Sequence, residues 1–101
     1  MNDKLKSKDK DKLFEAILQL KTVEECYDFF DDLCTIRELE SMAQRLHVAK
    51  LLTDGKVYSD IVDITGASTA TISRVNRSLQ GGNDGYSVVF SRMNENEKNE
   101  G

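Results

Sequence analysis

The feature that most constrains the fold is a glycine that separates two short helix-forming segments within residues 58–80. The first segment runs from Tyr58 to Thr65 and is followed by Gly66-Ala67. A glycine at such a break permits a positive φ angle that a side chain would resist. Ser68 then supplies a side chain typical of a helix N-cap, and the second segment extends to about Gln80. Two helices joined by a short glycine-containing turn predict a helix-turn-helix.

The second helix of this pair has one apolar side and one side of small polar groups and arginines. With about 100° between successive residues, Ile72, Val75 and Leu79 share the side that would pack on Ile61. The opposite side carries Thr69, Ala70, Ser73, Arg74 and Arg77. Small hydroxyl and methyl groups suit the major groove of DNA, where bulky side chains would block the approach of a helix.

Charge is distributed unevenly along the chain. The 101 residues carry a formal net charge of −4, and the pI is near 4.9, far below the values typical of DNA-binding domains. Residues 64–83, however, contain no acid and include both Arg74 and Arg77. The pattern indicates a neutral-to-basic surface on an acidic body. We expect modest non-specific DNA affinity, because few phosphates would be neutralised.

The two ends of the chain differ in composition from its middle. Residues 1–12 are rich in lysine and aspartate, and we expect a flexible charged arm there. Residues 13–82 are predicted to form one helical domain that contains the helix-turn-helix. Residues 83–101 begin with a glycine-rich turn and continue with an apolar segment at 86–93, which is either extended or a short helix. We expect the acidic tail at 94–101 to be disordered.

The helical domain contains further helix boundaries that can be located in the sequence. Thr22 with Glu25, and Thr35 with Glu38, have the spacing of capping boxes that open two helices. The helix after Thr35 is predicted to be long and to end near residue 53, where Asp54-Gly55 supplies a C-terminal glycine.

This long helix has more apolar residues than one buried face needs. One stripe contains Ile36, Leu39, Met42, Ala43, Leu46 and Ala49, whereas Val48, Leu51 and Leu52 point elsewhere. Either the two preceding helices cover the surplus within one monomer, or a second copy of the chain covers it. We expect a homodimer, because contiguous apolar surface usually marks an interface and two-fold dimers are the commonest oligomers.

Several other classes of protein lack support in the sequence. Cys26 and Cys34 are eight residues apart. They would lie about 12 Å apart along one helix, too far for a disulfide, so we expect buried, reduced thiols. His47 is the only histidine, and we expect neither a metal nor another cofactor. No nucleophile paired with a base suggests an enzyme. No apolar run suits a membrane span or a signal peptide, so we expect a cytoplasmic protein.

Three stretches of the chain resemble the Trp repressor superfamily, in particular its YerC/YecD-type Trp-repressor-related proteins of bacteria. They are ELESMAQRLHVAKLL, GASTATISRVNRSLQ and GNDGY, and the similar region includes everything from Thr35 to Leu79. The resemblance implies an all-helical, intertwined homodimer with a helix-turn-helix in each subunit. It also implies a DNA-binding transcriptional regulator.

The resemblance further implies a candidate effector pocket. The repressor holds the indole of tryptophan between two arginines, with a threonine and a serine nearby; the matching positions are Arg45, Arg74, Thr35 and Ser78. Two features depart from that pattern. Val75 stands where the repressor has glycine, and the glycine-rich GGNDGYSVVF replaces its C-terminal helix. We therefore expect no tryptophan binding, because added volume in a closely packed site is costly. The two arginines could instead pair with acids and hold the subunits together.

The combined prediction is a sequence-specific regulator that binds operator DNA as a homodimer. The residues predicted to face base edges are Thr69, Ala70, Ser73 and Arg77. Those predicted to contact the phosphate backbone are Lys56, Ser68, Thr71 and Arg74. Arg77 suits either a guanine or a phosphate. The alternative is a protein-interaction module in which the same two helices bind part of the transcription machinery.

Overall fold

The computed structural model describes residues 6–100, and these form six α-helices and no strand. The helices are α1 (Lys8–Ile17), α2 (Val23–Leu33), α3 (Ile36–Thr53), α4 (Tyr58–Thr65), α5 (Thr69–Gly81) and α6 (Gly85–Glu100). The predicted all-α class is confirmed. The chain divides after Leu39 into two compact units, so that α3 begins in the first and ends in the second. None of these helices is long and apolar enough to cross a membrane.

The start of α1 corrects the predicted arm. Residues 1–5 lie outside the described residues, but 8–12 are helical. The Ser7 hydroxyl accepts a hydrogen bond of 3.1 Å from the Lys10 N–H and so caps the helix. Asp9 and Asp11 lie in the first turn, where the helix dipole favours negative charge. The alternating lysines and aspartates that suggested a flexible arm therefore belong to the first turn of a helix.

Both predicted capping boxes open helices, with different completeness. At α3, the Glu38 N–H donates to Thr35 Oγ1 (3.1 Å) and the Thr35 N–H donates to Glu38 Oε1 (2.9 Å). At α2, the Glu25 N–H donates to Thr22 Oγ1, but the Glu25 carboxylate accepts from the Lys21 N–H, one residue before the cap. Only the box at α3 is fully reciprocal.

The capping box at α3 should make stability depend on pH. Hydrogen bonds from the Thr35 backbone and then its hydroxyl hold the pKa of Glu38 below its usual value. The contribution of Glu38 to stability is therefore complete above the pKa that this residue has in the unfolded chain. It is lost as the pH falls through the pKa that Glu38 has in the folded protein. The free energy of unfolding should fall between pH 7 and pH 3, and we expect this fall to be smaller in Glu38→Gln. Urea unfolding at each pH measures it. Glu40→Gln, in the same helix but outside the box, is the control; equal slopes for both variants would contradict the assignment.

The second unit contains the apolar core. Its buried residues are Val48, Ala49, Ile61, Ala67, Ile72, Val75 and Phe90, which come from α3, α4, α5, α6 and the turn between α4 and α5. Leu79, predicted on the inner side of α5, packs against this cluster. The predicted core between the two helices of the helix-turn-helix is confirmed.

The C-terminal segment is more helical than the sequence suggests. Residues 86–93 lie in α6, as does the tail that we expected to be disordered up to residue 100; Gly101 lies outside the described residues. Phe90 is buried, Tyr86 stacks on it at 6.0 Å, and Lys50 Nζ lies 5.7 Å from the Phe90 ring centre. These contacts anchor α6 to the core of the second unit, and the helix continues from them to residue 100. The glycine-rich stretch therefore precedes a C-terminal helix and does not replace one.

The first unit leaves its described apolar side chains exposed or half-buried. No residue of α1 or α2 is buried, and Leu18 and Val23 are 80% and 68% exposed. Cys26 is half-buried within α2, and Cys34 is its half-buried C-cap with extended backbone. The thiols are unpaired, as expected, but they are less buried than predicted.

Candidate nucleic-acid interface

The turn between α4 and α5 is built from three short-range hydrogen bonds. Gly66 has φ +71° and its N–H donates to the Val62 carbonyl at 2.8 Å. Thr65 Oγ1 accepts from the Ala67 N–H (3.1 Å) and donates to the Ile61 carbonyl (2.7 Å). The Ala67 side chain is buried in the core. The predicted positive φ at Gly66 is confirmed. Hydrogen bonds connect the turn to α4 before Gly66 and to Ala67 after it.

The cost of a side chain at Gly66 should come from the backbone alone. No heavy atom lies within 4 Å of the position that a Cβ would occupy, yet φ is strongly positive. We expect Gly66→Ala to lower the free energy of unfolding by about 1–2 kcal/mol and Gly66→Asn by less, since asparagine tolerates this conformation. Urea unfolding measures both. Gly81→Ala, equally uncrowded but at an ordinary φ, should cost nothing; an equal loss there would refute the argument.

The helix α5 begins at a capped N-terminus and presents two different sides. The Ser68 hydroxyl accepts from the Thr71 N–H at 3.1 Å and donates to the Thr71 hydroxyl. Ile72 and Val75 are buried on the inner side. The first turn contains no acid, so nothing there repels a phosphate from the N-terminus of the helix.

The predicted DNA-contact residues lie mainly on the exposed surface. The exposed ones are Lys56, Ser68, Thr69, Ala70, Arg74 and Arg77. Thr71 and Ser73 are half-buried, because they lie at the border between the two sides of α5. Among the described residues the one ion pair joins Lys50 to Asp54 at 3.0 Å, so neither arginine of α5 is occupied by a carboxylate. The surface can therefore receive an anionic backbone.

The candidate effector residues are divided between the two units. Thr35 caps α3 in the first unit, Arg45 is half-buried in α3, and Arg74 and Ser78 are exposed on α5. A groove of about 480 Å³ borders Ser78, but neither arginine lines it. Val75 is 2% exposed and belongs to the core. Within this single chain, the described residues show no ion pair at Arg45 or Arg74, and their pairing with acids of a second subunit stays a prediction.

One residue of this region has no signal in the sequence. Gln44 of α3 donates from Nε2 to the carbonyl of Thr65 at 3.2 Å, across 21 positions of the chain. No spacing rule links a glutamine to a backbone carbonyl so far away. The contact depends on how α3 packs beside the turn, and no local pattern records that packing.

Comparison with known proteins places the chain among close relatives. The family described as Trp repressor protein matches residues 8–94. YerC of Bacillus subtilis (strain 168), described as uncharacterized, is 58% identical over 95 residues, which cover 94% of this chain and 91% of YerC. A TrpR like protein from Eubacterium eligens ATCC 27750 is 58% identical with a TM-score of 0.88, covering 92% of this chain and 96% of that one. A Staphylococcus aureus structure described as a candidate Trp repressor is 56% identical with a TM-score of 0.88, covering 93% and 95%.

Proposed function

The chain belongs to the Trp repressor family as a YerC-type, TrpR-like protein, and we propose that it regulates transcription by binding operator DNA as a homodimer. Family membership favours a DNA-binding regulator with a helix-turn-helix over an enzyme. The observation that carries the proposal is the outer side of α5, which is exposed and free of acids while Ile72 and Val75 anchor its inner side. Such a protein works in the cytoplasm of a bacterium.

In this proposal α5 is the recognition helix. Its outer side enters the major groove, where the methyl groups of Thr69 and Ala70 suit thymine and the Arg77 guanidinium suits guanine. The capped N-terminus at Ser68, together with Lys56 and Arg74, contacts phosphates and fixes the position of the helix. Thr71 and Ser73, at the border of this surface, contribute hydroxyl groups.

Arg77 is the residue whose role can be determined most directly. If it reads a base, Arg77→Ala should relax specificity at one operator position and cost about 1–3 kcal/mol of binding free energy. If it contacts a phosphate, the variant should weaken binding to every duplex and reduce the salt slope by about 1. Fluorescence anisotropy at several salt concentrations separates the two. Arg92→Ala, an exposed arginine of α6, should leave affinity and slope unchanged.

The homodimer is supported by apolar surface that one chain leaves uncovered. Besides the exposed side chains of α1 and α2, an open groove of about 270 Å³ runs between α3 and α6 with Leu46, Phe90 and Met93 in its walls. Surface of this kind usually marks an interface. Sedimentation equilibrium should give twice the mass of the chain. A monomer at micromolar concentration would contradict the proposed assembly.

We also propose that tryptophan does not act as the effector. The isopropyl group of Val75 is already packed in the core. Added volume at a snug site opposes binding of an indole. Operator affinity should therefore be the same with and without millimolar tryptophan.

The decisive experiment selects bound duplexes from a random pool with the purified protein. We expect an enriched site with two-fold symmetry and half-sites about one helical turn, roughly 34 Å, apart. The selection is repeated in the presence of tryptophan and should yield the same site. No enriched site, together with weak binding that is insensitive to salt, would favour the alternative in which α4 and α5 dock on another protein.

A further inference from the structure

The contact between Gln44 and Thr65 stands apart from the other side-chain hydrogen bonds. In the part of the chain that the structure describes, every other such bond joins residues at most four positions apart. This one spans 21 positions and is partly buried. It connects α3 to the residue that immediately precedes Gly66.

The carbonyl of Thr65 is a group that the helix itself cannot satisfy. The last four carbonyls of an α-helix have no partner within the helix. At the end of α4, the Gly66 N–H occupies the Val62 carbonyl and the Thr65 hydroxyl occupies the Ile61 carbonyl. The Thr65 carbonyl, which no later N–H of α4 can reach, accepts instead from Gln44 Nε2 at 3.2 Å. An unpaired carbonyl in a partly buried position is costly, so this bond favours one position of the turn.

The same residue also controls the beginning of the next helix. Thr65 Oγ1 accepts from the Ala67 N–H, and the Ala67 side chain is buried beneath the turn. Ser68, the N-cap of α5, follows directly. A bond that fixes Thr65 therefore limits the movement of Gly66, of Ala67 and of the first turn of α5, which carries Thr69 and Ala70.

We propose that Gln44 is a positioning residue for DNA recognition: its amide holds the turn of the helix-turn-helix to α3 and so fixes the direction in which α5 leaves the body. This rests on the proposed function and deepens it. Discrimination between DNA sequences requires a fixed helix direction, because base contacts are directional, whereas attraction to phosphates tolerates small rotations. Gln44 should therefore affect specific binding more than non-specific binding.

The test uses two substitutions that keep the side-chain length of Gln44. Gln44→Met removes the donor, and Gln44→Glu replaces it with a carboxylate whose oxygens face the Thr65 carbonyl. We expect amide hydrogen exchange at Gly66 and Ala67, measured by NMR without DNA, to accelerate about three- to tenfold in Gln44→Met and further in Gln44→Glu. Affinity for the selected site should fall by a similar factor, while affinity for a scrambled duplex should stay within twofold.

The control is Gln19→Met, because Gln19 Nε2 also donates to a backbone carbonyl, that of Glu15, but only four residues away. It should leave both exchange rates and both affinities unchanged.

Unchanged exchange at Gly66 and Ala67 in Gln44→Met would overturn the proposal, as would an equal loss of affinity for both duplexes. If Gln44 served packing alone, methionine would behave like the unsubstituted protein. Failure of the unsubstituted protein to bind any duplex would instead count against the proposed function, and the exchange rates alone would then decide whether Gln44 holds the turn.

Discussion

Thr69→Glu should stabilise the protein and, in the same variant, abolish most of its affinity for DNA. Thr69 is the first residue of α5, is exposed, and lies in a first turn without acids. A carboxylate there interacts favourably with the helix dipole, and we expect the free energy of unfolding to rise by about 0.3–1 kcal/mol. Opposite a phosphate backbone the same charge is repelled, and a base contact worth about 1–3 kcal/mol is lost. Affinity should fall about 10- to 100-fold.

The matched control for this prediction is Ser87→Glu. Ser87 is exposed in the first turn of α6, which also contains no acid, but it lies outside the helix-turn-helix. The added carboxylate should stabilise the protein by a similar amount and leave duplex affinity within about twofold, apart from the change in net charge. Urea unfolding and anisotropy titration measure the two quantities. If Thr69→Glu bound the selected duplex as well as Ser87→Glu did, α5 would not face the DNA.

Ile72→Ala should destabilise the protein more than Gly66→Ala does. Ile72 is 0% exposed and lies at the centre of the core that joins α5 to the rest of the second unit. Truncating a buried isoleucine to alanine typically costs about 2–5 kcal/mol, a large part of the total stability of about 5–15 kcal/mol expected for a small domain. The midpoint of thermal unfolding should fall by more than about 10 °C.

Ile64→Ala provides the comparison, because Ile64 is in the same helix-turn-helix but is 53% exposed. The midpoint of thermal unfolding of this variant should fall by about 4–8 °C at most. Both variants are followed by circular dichroism at one protein concentration, since the stability of a dimer depends on concentration. Similar shifts for the two isoleucines would mean that the inner side of α5 has been assigned wrongly.

The sequence predicted best those elements whose signals are local. The positive φ at Gly66, the cap at Ser68 and the reciprocal box of Thr35 and Glu38 each depend on a few consecutive residues. The inner side of α5 followed from helical periodicity alone. Roles in DNA binding stay predictions, but the exposure of Thr69 and Arg77 agrees with the outer side assigned to them.

Elements that depend on distant contacts were predicted less well. The helical state of residues 86–100 depends on Phe90 reaching the core and on Lys50, forty positions earlier in the chain, meeting its ring. Composition alone therefore suggested disorder for residues 94–101 and left 86–93 as either extended or a short helix. At the other end of the chain, the composition near Ser7 suggested a flexible arm. The cap at Ser7 instead begins a helix, and the aspartates lie in its first turn. Gln44 has no local signal, because its partner is a backbone carbonyl.

The burial of Val75 has a consequence for how such a regulator would be controlled. Its side chain is packed in the core on the inner side of α5, so under the proposed function α5 would hold its position without tryptophan. Occupancy of the protein's sites would rise and fall with the number of copies in the cell, and regulation would pass to synthesis, turnover and pairing of the chains.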